Sequence, residues 1–370
     1  MDREANVASF AIVTWLRSSP RLSATPSPYD EGALISDPDQ PRKQAIRKRS
    51  LGTEGPEITV LGLGTWAIGG PYEFGWGPVD DEESIAAIRH GVESGINWVD
   101  TAPIYGLGHS EEIVGRAIRP WQAGDEVFLF TKCGRNYYSK SRISSNLRPE
   151  TIRAECEESL QRLGVDRLDL LQFHWPDPDT GTPIEDSWGT MVELIDEGKV
   201  RWVGVSNFDV PLLDRCEAIR HVDSVQPPFN LIQRSARKDV IPWCREHGTG
   251  VIGYAPMASG LLTGKYDPEA IGNLAPDDWR RRSANFTEPA LSRNLRLVEA
   301  LRPVGHRLGT TLAVLAIAWT LSTPGVTGAI AGARRPDQVN GWISASEIAL
   351  DRETLEEIES LIADVGAGEG

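Results

Sequence analysis

Eight times along this chain a short apolar run is followed by a stretch with helical spacing, and that alternation leaves few folds open to it. The runs are VLGLGT (from Val60), NWVD (from Asn97), EVFLFTK (from Glu126), LDLLQFH (from Leu168), VRWVGVSN (from Val200), SVQ (from Ser224), GVIGYAP (from Gly250) and VTGAIAG (from Val326). Near-continuous apolarity marks strands covered on both faces, the condition of a parallel sheet. The intervening stretches read as surface helices. In PETIRAECEESLQRLG, Ile152, Cys156, Leu160 and Leu163 form one stripe, with Glu155, Glu158 and Arg162 expected outside it. Gly198 ends another as a left-handed cap.

Eight strand–helix units predict a closed (β/α)₈ TIM barrel over residues 45–366, an α/β fold made as one domain, in preference to an open sheet. Residues 47–51 and 58–61, joined through GTEGPE, predict a hairpin ahead of the repeat. A non-repeat stretch from 258 to about 289, then an extra helix in SRNLRLVEALRPVGHRLG, precede the seventh helix of the repeat. Residues 1–44 are Ser-, Pro- and Asp-rich and are expected to be a flexible extension. Asp2 and Glu4 argue against a secretory signal within it.

Barrels of this kind gather functional side chains at the C-terminal strand ends, and the polar residues fall there. Thr65 and Trp66 follow the first strand, Asp100 and Tyr105 the second, Lys132 ends the third, and His174 and Trp175 follow the fourth. Ser206 and Asn207 end the fifth, Gln226 the sixth, Tyr254 the seventh, and the basic turn GARRPDQ follows the eighth. A phenol, an ammonium, a carboxylate and an imidazole on one rim form a proton-delivery group with its own charge partner, as carbonyl reduction requires. Loop aromatics, Trp66, Phe74, Trp76, Tyr137, Tyr138 and Trp175, predict a pocket wall for sugar faces or hydrophobic carbonyls.

One motif misleads. Gly62, Gly64 and Ala67 imitate the G-x-G-x-x-[GA] dinucleotide fingerprint, which needs a helix opening onto a pyrophosphate. Gly69, Gly70 and Pro71 follow at once, so no helix is expected there and the glycines read as a wide-mouthed loop.

Charge and side-chain inventory exclude other classes. The net charge of −15, from 53 acidic and 38 basic residues, comes with no long basic run, so nucleic acid is not an expected partner. No apolar run reaches the ~20 residues of a membrane helix. Cys133, Cys156, Cys216 and Cys244 are far apart, which fits a reducing cytoplasm. The six histidines contain no H-x-H pair, and no metal site is expected.

Taken in order, LGLGTWAIGG, GINWVDTAPIYGLGHSEEIVGRAI, FTKCG, RLGVDRLDLLQFHWPD, LIDEGKVRWVGVSNF, QPPFNLIQR, YAPMASGLLTGKY and IAGARRPDQV resemble the aldo-keto reductase superfamily from about residue 47 to 364. The resemblance is to its bacterial branch with a GTW first loop, here followed by Gly75 and Trp76. It implies that Tyr105 protonates the carbonyl oxygen, that Lys132 lowers the phenol's pKa, that Asp100 holds Lys132, and that His174 orients the substrate. For the cofactor it implies Ser206, Asn207 and Gln226 on the carboxamide and Tyr254 on the nicotinamide ring, with Thr65 and Trp66 nearby. Pro256, Met257, Gly260, Leu262, Lys265 and, more weakly, Arg280 would line the pyrophosphate. Gly332, Arg334 and Gln338 would meet the adenosine end, where an arginine forking onto a 2′-phosphate favours NADPH, with NADH also admissible. The family's frequent Asn is replaced by Trp342.

The expected activity is therefore NADPH-dependent reduction of a small carbonyl by a monomer or homo-oligomer. A cofactor-binding partner subunit with little turnover and a Schiff-base aldolase using Lys132 remain as alternatives.

Overall fold

The computed structural model describes residues 46–124, 126–139 and 142–368, the side chains at 123, 124, 137–139 and 142 excepted; the extension expected over 1–44 lies outside them. Two short strands, β1 (Lys48–Ser50) and β2 (Glu57–Thr59), pair antiparallel with Arg49 opposite Ile58, as the GTEGPE turn predicts. Then come the eight parallel strands of the barrel: β3 (Leu61–Gly64), β4 (Trp98–Asp100), β5 (Phe128–Cys133), β8 (Leu168–Phe173), β9 (Val200–Ser206), β10 (Ser224–Gln226), β11 (Gly250–Tyr254) and β12 (Gly328–Gly332). They close in that order, β12 returning to β3, and each overlaps an apolar run named above.

Helices cover the barrel: α1 (Asp81–Glu93), α2 (His109–Ile118), α3 (Pro149–Leu163), α4 (Ile184–Asp196), α5 (Val210–Glu217), α6 (Val240–His247), α7 (Pro268–Gly272), α8 (Ala290–Arg307), α9 (Leu312–Ser322), α10 (Pro336–Asn340) and α11 (Arg352–Asp364). Gly198, at φ 74°, turns the chain left-handed just past α4, a conformation that side-chain-bearing residues resist. Helix α9 is apolar on every side because it is buried between the barrel, α8 and its neighbours. Among the described residues no single helix is long and apolar enough to cross a membrane.

The hairpin plugs one end of the barrel. Leu51 and Ile58 join Trp98, Phe130, Leu170, Ile252 and Ile330 in one interior cluster, and Trp98 Nε1 donates to Thr59 O at 2.7 Å. This packing explains the misleading glycines. A Cβ on Gly62 would lie 2.2 Å from the Trp98 ring, and one on Gly64 2.6 Å from Ile330 Cγ2, so both are small to fill the barrel with other side chains.

Three expectations need correction. A single 3₁₀ turn, Trp66–Ile68, does open after β3, although α1 begins only at Asp81. A second hairpin, β6 (Arg135–Ser139) with β7 (Arg142–Ser145), extends beyond β5; its polar, non-alternating residues give no strand signal. Glu155 is buried rather than on the outer face of α3, because its carboxylate accepts the Gly134 N–H at 2.5 Å.

Candidate active site

The period of two along a strand builds the site in layers. Trp98, Phe130 and Leu170 point into the barrel from β4, β5 and β8, so Asp100, Lys132 and Gln172, two residues on, form the next interior layer, completed by Ser224 and Gln226 from β10. A polar tier therefore rests on an apolar one. Lys132, 1% exposed, donates through Nζ to Asp100 Oδ1 at 2.5 Å and Thr101 O at 2.9 Å. The same Nζ lies 5.3 Å from the centroid of the Tyr105 ring, which meets the His174 ring edge-on at 5.6 Å. All four members of the expected proton-delivery group thus meet in one place.

The electrostatics differ from expectation at one point. Lys132 was expected to pull the Tyr105 phenol below its ordinary value, whereas burial, assisted by the Asp100 carboxylate, holds it well above 10.0. Loss of water around the ring is the larger cause, and the Asp100 carboxylate adds to it. The phenol is consequently a stored proton. Burial also lowers Lys132 from 10.5, against the opposing pull of Asp100. His174 is pushed well below 6.5 by burial and then by Lys132 and Arg135, so its imidazole is neutral and keeps one N–H donor.

A cleft of about 830 Å³ opens above this tier. It is lined by Thr65, Trp66, Phe74, Trp76, Trp175, Ser206, Asn207, Gln226, Tyr254, Pro256, Met257, Gly260, Lys265, Arg280, Gly332, Arg334 and Gln338, all expected at the site, and by Tyr105 and His174. Leu262 is the exception: at 2% exposure it belongs to the hydrophobic core and does not reach the cleft. Its neighbours Gly260, Thr263 and Lys265 do, the 3₁₀ turn there carrying Leu262 inward. The side chains of Tyr137 and Tyr138 lie outside the described residues. Lys132 sits beneath the lining, pinned by two oxygens, which is incompatible with a nucleophilic amine open to substrate and disfavours the aldolase reading.

Several expected groups are already engaged with one another. Ser206 Oγ donates to Gln226 O (2.8 Å); Asn207 Nδ2 donates to His174 O and to Ser206 Oγ (both 3.0 Å); Tyr254 donates to Asn207 Oδ1 (2.9 Å). Asn207 holds this place with φ at 62°. Thr65 lines the cleft, but its N–H and hydroxyl both donate to Asp100 O, tying the ends of β3 and β4 together.

The far end of the cleft is cationic and aromatic. Arg280 is gripped by Asp278 (2.9 and 2.6 Å) and Tyr266 Oη (2.5 Å) and lies 4.7 Å over the Trp76 ring. Arg334 donates to Trp76 O at 3.0 Å, and its backbone N–H to Gln338 Oε1 at 2.7 Å. Burial, then Arg335 and Arg280, depress the Arg334 guanidinium. Cations crowded until they oppose one another's charge fit an anion among them, as the phosphates of a dinucleotide would be. Trp66, Trp76 and Trp279 pack at centroid separations of 5.6, 5.0 and 5.8 Å beside this end.

The expectations omitted Arg135, Ile104, Ile143, Tyr72 and Tyr266, which also line the cleft. All of them but Ile143 lie within three residues of an expected one, the signal that could have found them. Trp342 lines it as well, mostly buried. Among the described residues no cluster of His, Cys, Asp or Glu is placed to hold a metal, and all four cysteines are free and buried. Burial holds the Cys133 thiol well above 9.0, an inert packing group beside Lys132.

A barrel whose polar tier joins a phenol, an ammonium–carboxylate pair and an imidazole below a cationic cleft defines an oxidoreductase architecture. Comparison with known proteins agrees. The model of the Aldo/keto reductase family matches residues 60–363. The aldo-keto reductase YhdN of Bacillus subtilis is 38% identical over 322 residues, 85% of this chain and 94% of that one. The NADH-specific methylglyoxal reductase of Escherichia coli is 33% identical over 82% of this chain and 95% of its own. The solved glycerol dehydrogenase of Gluconobacter oxydans superposes with a TM-score of 0.77 at 34% identity, over 87% of this chain and 96% of that structure. The chain belongs to the aldo-keto reductase family and is an NAD(P)H-dependent oxidoreductase.

Proposed function

We propose that this protein reduces small aldehydes or ketones to alcohols with NADPH, using Tyr105 as general acid. The observation that carries the reading is the meeting of Tyr105, His174 and the Asp100–Lys132 pair at the base of the 830 Å³ cleft. A reduced nicotinamide, when bound, supplies the hydride. Ser206, Asn207 and Gln226 would hold its carboxamide, Tyr254 its ring, and Lys265, Arg280 and Arg334 its phosphates.

The substrate carbonyl oxygen is held by His174, a neutral donor that costs no proton, and by the Tyr105 hydroxyl. As negative charge grows on that oxygen, it becomes a far stronger base than phenolate, and the Tyr105 proton passes to it. Lys132, kept in place by Asp100, stabilises the phenolate left behind. Trp66, Phe74 and Trp175 line the cleft and present apolar faces to the substrate.

Preference for NADPH is supported by Arg334 at the end of β12, where a guanidinium can fork onto a 2′-phosphate. The relatives named for methylglyoxal and glycerol support a small, oxygen-rich substrate. Four buried free thiols support a cytoplasmic setting.

The test is consumption of NADPH and NADH, followed by absorbance, with a panel of aldehydes, ketones and aldoses. Turnover is expected with NADPH preferred, and Tyr105→Phe is expected to lower kcat by about 10²–10⁴-fold. Tight cofactor binding with no turnover of any carbonyl would instead support the partner-subunit reading.

A further inference from the structure

The chemistry above uses one oxygen of Asp100 and leaves the other unexplained. Oδ1 receives Lys132; Oδ2 receives Gln226 Nε2 at 2.9 Å. The same nitrogen also reaches Gln172 Oε1 at 3.4 Å, and that oxygen accepts from Ser224 Oγ at 3.1 Å. Gln172, Ser224 and Gln226 are all buried.

Asp100 sets the polarity of this chain of groups. A carboxylate only accepts, so Gln226 must offer its NH₂; an NH₂ must meet an oxygen, so Gln172 must offer its carbonyl. Turning either amide would bring like groups face to face in a low-dielectric interior. The arrangement leaves the Gln172 NH₂ buried with no hydrogen-bond partner among the described residues. An orphaned donor is destabilising, and an apolar residue such as Leu170, two places earlier on the same strand, avoids that cost. Packing alone therefore does not account for glutamine at 172. Both hydrogens of the Gln226 amide are used, and its carbonyl is left as the accepting end of a side chain that lines the cleft.

We propose that Gln172 is a positioning residue: by holding the Gln226 amide it fixes Asp100 Oδ2, keeps the Asp100–Lys132 pair beside Tyr105, and turns the Gln226 carbonyl to receive a carboxamide N–H. The last part rests on the reductase reading above. Gln172 touches neither substrate nor cofactor and acts only through Gln226.

Wild type, Gln172→Leu and Gln172→Glu are compared as full chains. The leucine variant keeps the volume and removes the accepting oxygen; the glutamate variant keeps that oxygen. Gln172→Leu is expected to lower kcat roughly ten- to hundredfold while the carbonyl KM stays within about threefold. It also weakens reduced-cofactor binding, measured by calorimetry, and its crystal structure shows the Gln226 amide turned from Asp100. Gln172→Glu, whose buried carboxyl holds its proton and still offers a C=O acceptor to Gln226, recovers most of both losses. The proposal is overturned if Gln172→Leu matches wild type in kcat and cofactor affinity, or if both variants lose equally as their melting temperatures fall. Turnover by wild type tests the reductase reading on its own; should there be none, calorimetry and the variant crystal structures still decide the role of Gln172.

Discussion

Lys132 is the residue on which the site balances, because its ammonium is paired with Asp100 and is almost wholly buried. Lys132→Met keeps much of its volume but strands a buried carboxylate, for which losses of about 3–5 kcal/mol are usual. Urea unfolding of Lys132→Met should therefore show a loss of this order together with loss of turnover, and the double variant Lys132→Met, Asp100→Leu should regain stability without activity. An unchanged midpoint in the single variant would mean that the pair contributes little to stability. At the other end of the cleft, Arg334→Met should raise the dissociation constant for NADPH more than that for NADH; equal effects would remove Arg334 from any role in choosing between them. Asp100, Tyr105, Lys132 and His174 were legible because strand ends in a barrel share one rim, so sequence order becomes neighbourhood. Gln172 was not, since the run LDLLQFH also carries Asp169 and His174, and its pattern does not show which groups a glutamine there would meet. Nor was the state of Tyr105, which depends first on how deeply the phenol is buried and then on the nearby Asp100 carboxylate.

At the scale of elements, α3 and the residue that follows β5 are joined by a titratable buried contact. Burial raises Glu155 from 4.5 to about 7, against the pull of the Gly134 N–H it accepts. The folded state thus binds this proton more tightly than the unfolded chain. The associated stability is full below about pH 4.5 and is lost as pH rises through about 7, with an upper bound of about 3 kcal/mol. The melting temperature of wild type relative to Glu155→Gln should fall between pH 5 and pH 8; parallel curves would refute the linkage. The sequence misassigned Glu155 to the outer face because helical period locates a stripe but not a single carboxylate turned inward to meet a backbone N–H. Likewise, β6 and β7 escaped notice although the eight barrel strands did not. Barrel strands are covered on both faces and so read as apolar runs, whereas a hairpin such as RNYYS with RISS is shaped by its own pairing.

Across the whole molecule, the barrel is asymmetric from end to end: the β1–β2 hairpin and an apolar tier seal one mouth, and polar groups and loops build the other. The charge is arranged against the average. A chain of net charge −15 gathers Lys265, Arg280 and Arg334 in one cleft, a local attraction for phosphate set against the sign of the overall charge. Raising the ionic strength from about 0.02 to 0.3 M should therefore change the association rate of reduced cofactor. Slower binding would show that the local patch guides the encounter, and faster binding that the overall charge governs it; we expect the former, with a shallower slope in Arg334→Met. The packed trio of Trp66, Trp76 and Trp279 at the edge of that cleft has a further, optical consequence. Dihydronicotinamide absorbs where indole emits, so a docked cofactor drains the excited state of these rings, and the native chain should signal its own loading as lost fluorescence without any attached dye.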